Sequence, residues 1–157
     1  MKTLILGFGN PILTDDAVGI RIAEELAVEL PDITVEATSE AGLSILDEVT
    51  GYEKLVIIDS IKTGKGKPGE LYKLTLEDLK PRSDFSSSHG LDIATAFKLG
   101  EKLGYPMPGQ VSIYAVEVKN NTTFGEECTP ELKRSISLIV GQIIKEEGLC
   151  QAASPKS

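Results

Sequence analysis

Four large aliphatic residues in a row, Leu55-Val56-Ile57-Ile58, end on a carboxylate, Asp59. A strand with one wet face alternates polar and apolar side chains, whereas an unbroken aliphatic run needs both faces covered. Helices on the two sides of a parallel sheet provide that cover, so this stretch predicts a central strand of an α/β fold. The rest of the chain reads the same way. Residues 3–6 form a second short apolar run stopped by Gly7, and residues 17–30 place Val18, Ile22, Ala23, Leu26 and Leu30 on one face of a helix closed by Pro31. Residues 33–37 alternate as a strand and 43–49 suit a short helix. Beyond Asp59, residues 60–69 form a turn rich in Lys, Gly and Pro, and 70–76 read as a strand whose direction the pattern leaves open. A helix over 91–103 follows the serines at 86–88, and a strand of β-branched and aromatic residues occupies 110–116. Residues 117–128 read as a polar loop, and Thr129-Pro130 as an N-cap with proline in the first helical position, ahead of an amphipathic helix over 132–144. The order predicts a three-layer α/β/α sandwich around a mostly parallel twisted sheet of about five strands, with a single domain over residues 1–150 and a frayed tail at 151–157.

Composition narrows the function. Lys and Arg total 16 against 24 Asp and Glu, a net charge of −8, and the chain has no basic block with which to displace counterions from a phosphate backbone. Nucleic acid is therefore excluded as the expected partner. No apolar run approaches the roughly 18 residues of a membrane-spanning helix, and the six-residue start is too short for a signal-peptide core, which predicts a cytoplasmic protein with no membrane partner. Cys128 and Cys150 stand apart, outside any CxxC pair, and read as reduced bystanders. His89 is the single histidine, so no site requiring two imidazoles is possible.

In open α/β sheets, sites gather outside the carboxyl ends of the strands. Three segments fall there: Gly7-Phe8-Gly9-Asn10-Pro11-Ile12-Leu13-Thr14-Asp15-Asp16-Ala17-Val18-Gly19, then Asp59, then Ser86-Ser87-Ser88-His89-Gly90. Gly7 and Gly9 begin a dinucleotide fingerprint, but its third glycine would fall on Ile12 and Pro11 stiffens the turn. A strand-to-helix turn needing positive φ accounts for both glycines equally well. One of Asp15 and Asp16 suits the positive end of the helix as a cap, leaving the other available. Asp59 ends a buried run, where an ionised group needs a partner, although a local cap would serve. His89 fits a helix-entry turn as readily as a ligand role. Taken together, two carboxylates and one imidazole on three loops of one sheet edge make an oxygen, oxygen, nitrogen set that suits a borderline divalent metal and leaves coordination positions open. A serine nucleophile does not fit, since there is no GxSxG elbow and Ser60 has no evident histidine base.

The string GFGNPILTDDAVG, an apolar strand ending in IIDS, SSHG opening a helix and a strand ending in AVEV resemble the hydrogenase maturation endopeptidases over residues 1–144. That resemblance implies trimming of the C-terminus of the nickel-iron hydrogenase large-subunit precursor, with metal contacts falling on Asp16, Asp59 and His89. Members often carry glutamate at the position of Asp16, so this chain has the shorter acidic form. The resemblance also implies no permanently bound cofactor, because the nickel is contacted in the substrate and serves as a checkpoint before cleavage. Polarisation of the scissile carbonyl by the metal and activation of water by an aspartate both fit these residues. A monomer is expected, since a large partner needs the cleft open. The alternative from another class is a non-catalytic nickel carrier using the same Asp16, Asp59 and His89 set. Secondary candidates are Gly42, which resembles a cleft-facing glycine turn of relatives and equally fits a loop glycine before a helix; Lys62, Lys65 and Lys67, which fit a solvated turn better than steering of an acidic substrate segment; and Phe124 as an interface anchor.

Overall fold

The computed structural model describes residues 2–9, 17–38, 45–79, 90–118 and 130–149. Its elements run β1 (Thr3–Phe8), α1 (Val18–Glu29), β2 (Thr34–Thr38), α2 (Ile45–Val49), β3 (Lys54–Ile61), β4 (Leu71–Leu74), a 3-10 turn (Leu76–Leu79), α3 (Gly90–Lys102), β5 (Gln110–Glu117) and α4 (Pro130–Glu147). One five-stranded sheet has the order β2-β1-β3-β5-β4. β2, β1, β3 and β5 pair in parallel, and β4 runs antiparallel on the edge beside β5. This settles the direction the sequence left open: a turn of fewer than ten residues cannot make the long crossover that a parallel neighbour would need.

The aliphatic run 55–58 lies in the middle of this sheet and alternates between two cores. Leu55 and Ile57 join Leu4, Leu6, Phe8 and Ile113 beneath residues of α2 and α3, whereas Val56 and Ile58 join Ile5, Tyr114 and Val116 beneath α1 and α4. Each of these strand residues is at most 3% exposed, so the two-sided cover demanded by the run is present. The expected three-layer α/β/α sandwich is the observed one. No helix among the described residues is long and apolar enough to cross a membrane.

Four local readings need correction. β3 runs to Ile61, so Asp59 and Ser60 are inside the strand, paired with Ala115 and Val116, rather than in the turn after it. Hydrogen bonding to a partner of equal length extends the strand beyond its aliphatic stretch. Gly7 is in β1 and does not have positive φ; its need for glycine is close approach, because a Cβ there would lie 2.5 Å from the Gly19 carbonyl oxygen and 2.7 Å from Ala23 Cβ. The cap position of α1 is Ala17, with no side-chain hydrogen bond, rather than an aspartate. Glu117 is not the start of a polar loop but the last residue of β5, only 1% exposed, and Val118 beyond it is buried as well. The tail 151–157, both cysteines, Gly42 and Phe124 lie outside the described residues.

At the amino end of β3 a second buried carboxylate pins α4 to the sheet. Glu147 accepts from the Tyr114 hydroxyl and pairs with Lys54 at 3.0 Å and Lys73 at 3.4 Å, while Lys54 Nζ also donates to the Glu147 carbonyl at 2.9 Å and so closes the helix end. Burial alone would raise the Glu147 carboxyl, but the bonds from Tyr114, Lys54 and Ser112 outweigh it and hold it below the usual range. The same burial, and the hydrogen bond to a carboxylate, push the Tyr114 hydroxyl far up.

Candidate active site

The chain leaves β1 through α1 to β2 on one side, then returns through α2 to β3 on the other. Strand order therefore reverses between β1 and β3, and the crevice at their carboxyl ends is where an open α/β sheet receives its ligands. Asp59 is at that point. Its backbone is one step beyond the Gly7–Ile58 pair, between β1 and the partner residue Ala115 on β5. Strand alternation puts it on the side of Ile57 and Ile61, toward α2 and α3.

Asp59 is 3% exposed, and its Oδ1 accepts the Ser60 N–H at 2.8 Å. A bond from the neighbouring backbone fixes the rotation of the carboxylate and offsets part of the cost of burying it. Helix α1 begins against the adjoining strand backbone, and α3 contributes to the apolar face toward which Asp59 is directed. In α1, a Cβ on Gly19 would lie 2.3 Å from the carbonyl oxygen of Phe8 and 2.6 Å from that of Ile58, so the first turn of the helix rests directly on the end of β1 and on β3 at Ile58. In α3, Ile93 belongs to the same apolar cluster as Ile57 and Ile61, the residues that flank Asp59 on its own face.

Of the three sequence-predicted ligands the structure describes Asp59. Asp16 and His89 lie outside the described residues, each within a few positions of the helices just named: Asp16 directly precedes Ala17, and His89 directly precedes Gly90, the first residue of α3. Among the described residues no group of three or more His, Cys, Asp or Glu is placed to hold a metal ion.

The residue that sequence reasoning missed is Glu117. It stands opposite Ile61, two register steps beyond Asp59 and on the same face. Its carboxylate accepts from Thr63 N at 2.9 Å, Thr63 Oγ1 at 2.5 Å, Tyr72 Oη at 3.0 Å and Gly64 N at 3.4 Å. Burial would raise this carboxyl, yet the bonds from Thr63, Tyr72 and Gly64 prevail and lower it. Tyr72, partly desolvated and bonded to that carboxylate, is raised in turn. The signal was present: Val116-Glu117-Val118 continues the strand's alternation, with the glutamate where a core residue belongs.

Comparisons with known proteins point one way. A family model described as hydrogenase maturation protease matches residues 20–146, a span that includes Asp59 and His89 and begins after Asp16. The hydrogenase 2 maturation protease of Escherichia coli strain K12 is 37% identical over 82 residues, covering 50% of each chain. The alignments span only about half the length, or less, of the curated relatives matched. Among solved structures, the hydrogenase maturating endopeptidase HybD from E. coli superposes with a TM-score of 0.76 at 28% identity, covering 94% of both chains. The [NiFe] hydrogenase maturation protease HybD from Thermococcus kodakarensis gives 0.73 at 26% identity, covering 93% of this chain and 99% of that one. With more than half its length matched by the family model, this chain belongs to the hydrogenase maturation protease family.

Proposed function

We propose that this chain is an endopeptidase that removes the C-terminal peptide of a nickel-loaded nickel-iron hydrogenase large-subunit precursor, working in the cytoplasm as a monomer. Asp16, Asp59 and His89 reach the nickel that the precursor already carries, and no metal is held between turnovers. The observation that carries this reading is the buried Asp59 carboxylate at the reversal of strand order, with α1 beginning against the neighbouring carbonyl of Ile58. Family membership supplies the reaction class.

In the hydrolysis, water adds to the scissile carbonyl carbon, the C–N bond breaks and the departing amine takes a proton. The substrate's nickel polarises that carbonyl, or an aspartate of the set takes the proton from water; both use the same side chains. A carboxylate fixed by the Ser60 N–H keeps its orientation while the substrate settles, which is the positioning that either route requires.

The test incubates the full chain with nickel-loaded and with metal-free precursor and follows loss of the C-terminal peptide by mass. Cleavage of the loaded form alone is expected. Equal cleavage of both removes the checkpoint but leaves a peptidase, whereas tight capture of about one nickel without cleavage would favour the carrier reading.

A further inference from the structure

The turn between β3 and β4 is built more heavily than a connection needs. Residues 62–70 contain three lysines and one acidic residue, Glu70, whose Oε1 accepts from Lys67 N at 3.3 Å, in a chain of net charge −8. The exit of the turn is tied to Glu117, with Gly69 N donating to the Glu117 carbonyl at 2.8 Å and Glu117 N to the Glu70 carbonyl at 2.8 Å, and its entry to the next residue, with Val118 N donating to the Ile61 carbonyl at 2.8 Å. The Glu117 carboxylate gathers Thr63 and Gly64 from inside the turn. Lys65 N donates to Thr63 Oγ1 at 3.0 Å, and Gly64 and Gly69 take φ of +76° and +95°. Gly66 packs so closely that a Cβ would meet Tyr72 Oη at 2.2 Å. Lys62, Lys65 and Lys67 are exposed on the outside of this frame.

A carboxylate only 1% exposed is costly to place, and a solvated linker would not require one. What Glu117 achieves is a turn fixed before any partner arrives, so that little ordering entropy is lost on binding. The turn leaves β3 directly after Ile61, two residues past Asp59, at the carboxyl edge of the sheet to which the proposed function assigns the substrate. From this we infer that the 62–69 turn is a preformed cationic docking element for an acidic segment of the protein substrate, guiding it to the crevice through an otherwise repulsive field. The identity of that substrate rests on the peptidase reading above.

The test measures cleavage kinetics of the nickel-loaded precursor, and in parallel its binding to the immobilised enzyme, for wild type and for the paired variants Lys62→Arg/Lys67→Arg, Lys62→Gln/Lys67→Gln and Lys62→Glu/Lys67→Glu. At low salt KM should be unchanged for the arginine pair and rise about threefold for glutamine and about tenfold for glutamate, with kcat and thermal stability kept. The spread should collapse at about 0.5 M salt, where screening shortens the reach of charge to a few ångströms. Identical KM and binding for the glutamate pair and wild type would overturn the inference. If no protein cleaves while binding still follows the charge order, the peptidase reading fails and the docking element stands.

Discussion

Replacing Gly19 by alanine tests the contact on which the crevice is built. On helix propensity alone the change should help, by about 1 kcal/mol. Packing opposes it, because the new Cβ would lie 2.3 Å from one strand carbonyl oxygen and 2.6 Å from another, both belonging to the backbone of β1 and β3. Those strands are clamped in the sheet centre, so α1 must lift by about 1 Å to restore ordinary contact, and overpacking of this kind costs about 1–3 kcal/mol. Net of propensity we expect a loss of up to about 2 kcal/mol and a fall in Tm of up to about 6 °C. The internal control is Gly141→Ala in α4, where a Cβ meets nothing within 4 Å and stability should rise by roughly 0.5–1 kcal/mol. Precursor cleavage should report the displacement more strongly than stability does, since a shift near 1 Å at a reacting centre costs about 100-fold. Unfolding cannot imitate that loss, because a deficit of about 2 kcal/mol leaves a protein of ordinary stability almost wholly folded at 25 °C. Circular-dichroism melts and cleavage rates measured well below both midpoints separate the two effects. If Gly19→Ala is stabilised like Gly141→Ala and retains full activity, α1 does not rest on β1 and β3 as described.

Two further expectations concern the buried carboxylates. Glu117 and Glu147 are both held below their ordinary value of 4.5, so each contributes stability that is complete above that pH and is lost as pH falls through the lowered folded value. Denaturant midpoints should therefore decline below about pH 4.5, and Glu117→Gln should flatten that decline while lowering stability at neutral pH; an unchanged acid slope would refute the assignment. Tyr114→Phe removes a hydroxyl that donates to Glu147, and should cost about 2 kcal/mol, or about 6 °C in Tm, without altering cleavage, since that bond is made beside Lys54 at the amino end of β3, opposite to the carboxyl-end crevice. A melt within 1–2 °C of wild type, less than about 0.5 kcal/mol, would show that the bond contributes little.

Much of the architecture was legible in local pattern. The aliphatic run 55–58 demanded two covered faces, and the spacing of Val18, Ile22 and Leu26 identified the helix that covers one of them. Contacts made across the sheet were not legible. Gly7 looks like a turn glycine in sequence and Gly19 like an ordinary helix residue, yet their role is to let a helix and two strands touch, a property of tertiary approach that no local pattern encodes. Glu117 was misread because a charged residue after a strand usually faces solvent, and its four donors come from residues 45 to 54 positions away. The sequence places Asp59 at the carboxyl edge of the sheet, and the structure agrees, although β3 carries it inside the strand, where the ladder holds it more firmly than a loop would.

The central claim is that Asp59 does chemistry rather than structural work. The most direct measurement is the intact mass of nickel-loaded precursor after incubation with wild type, Asp59→Asn, Asp16→Ala and His89→Ala, each first shown to be folded by its melt. The account predicts release of one C-terminal peptide by wild type and a loss of at least about 100-fold for each variant. A folded Asp59→Asn protein that processes the precursor at the wild-type rate would contradict it.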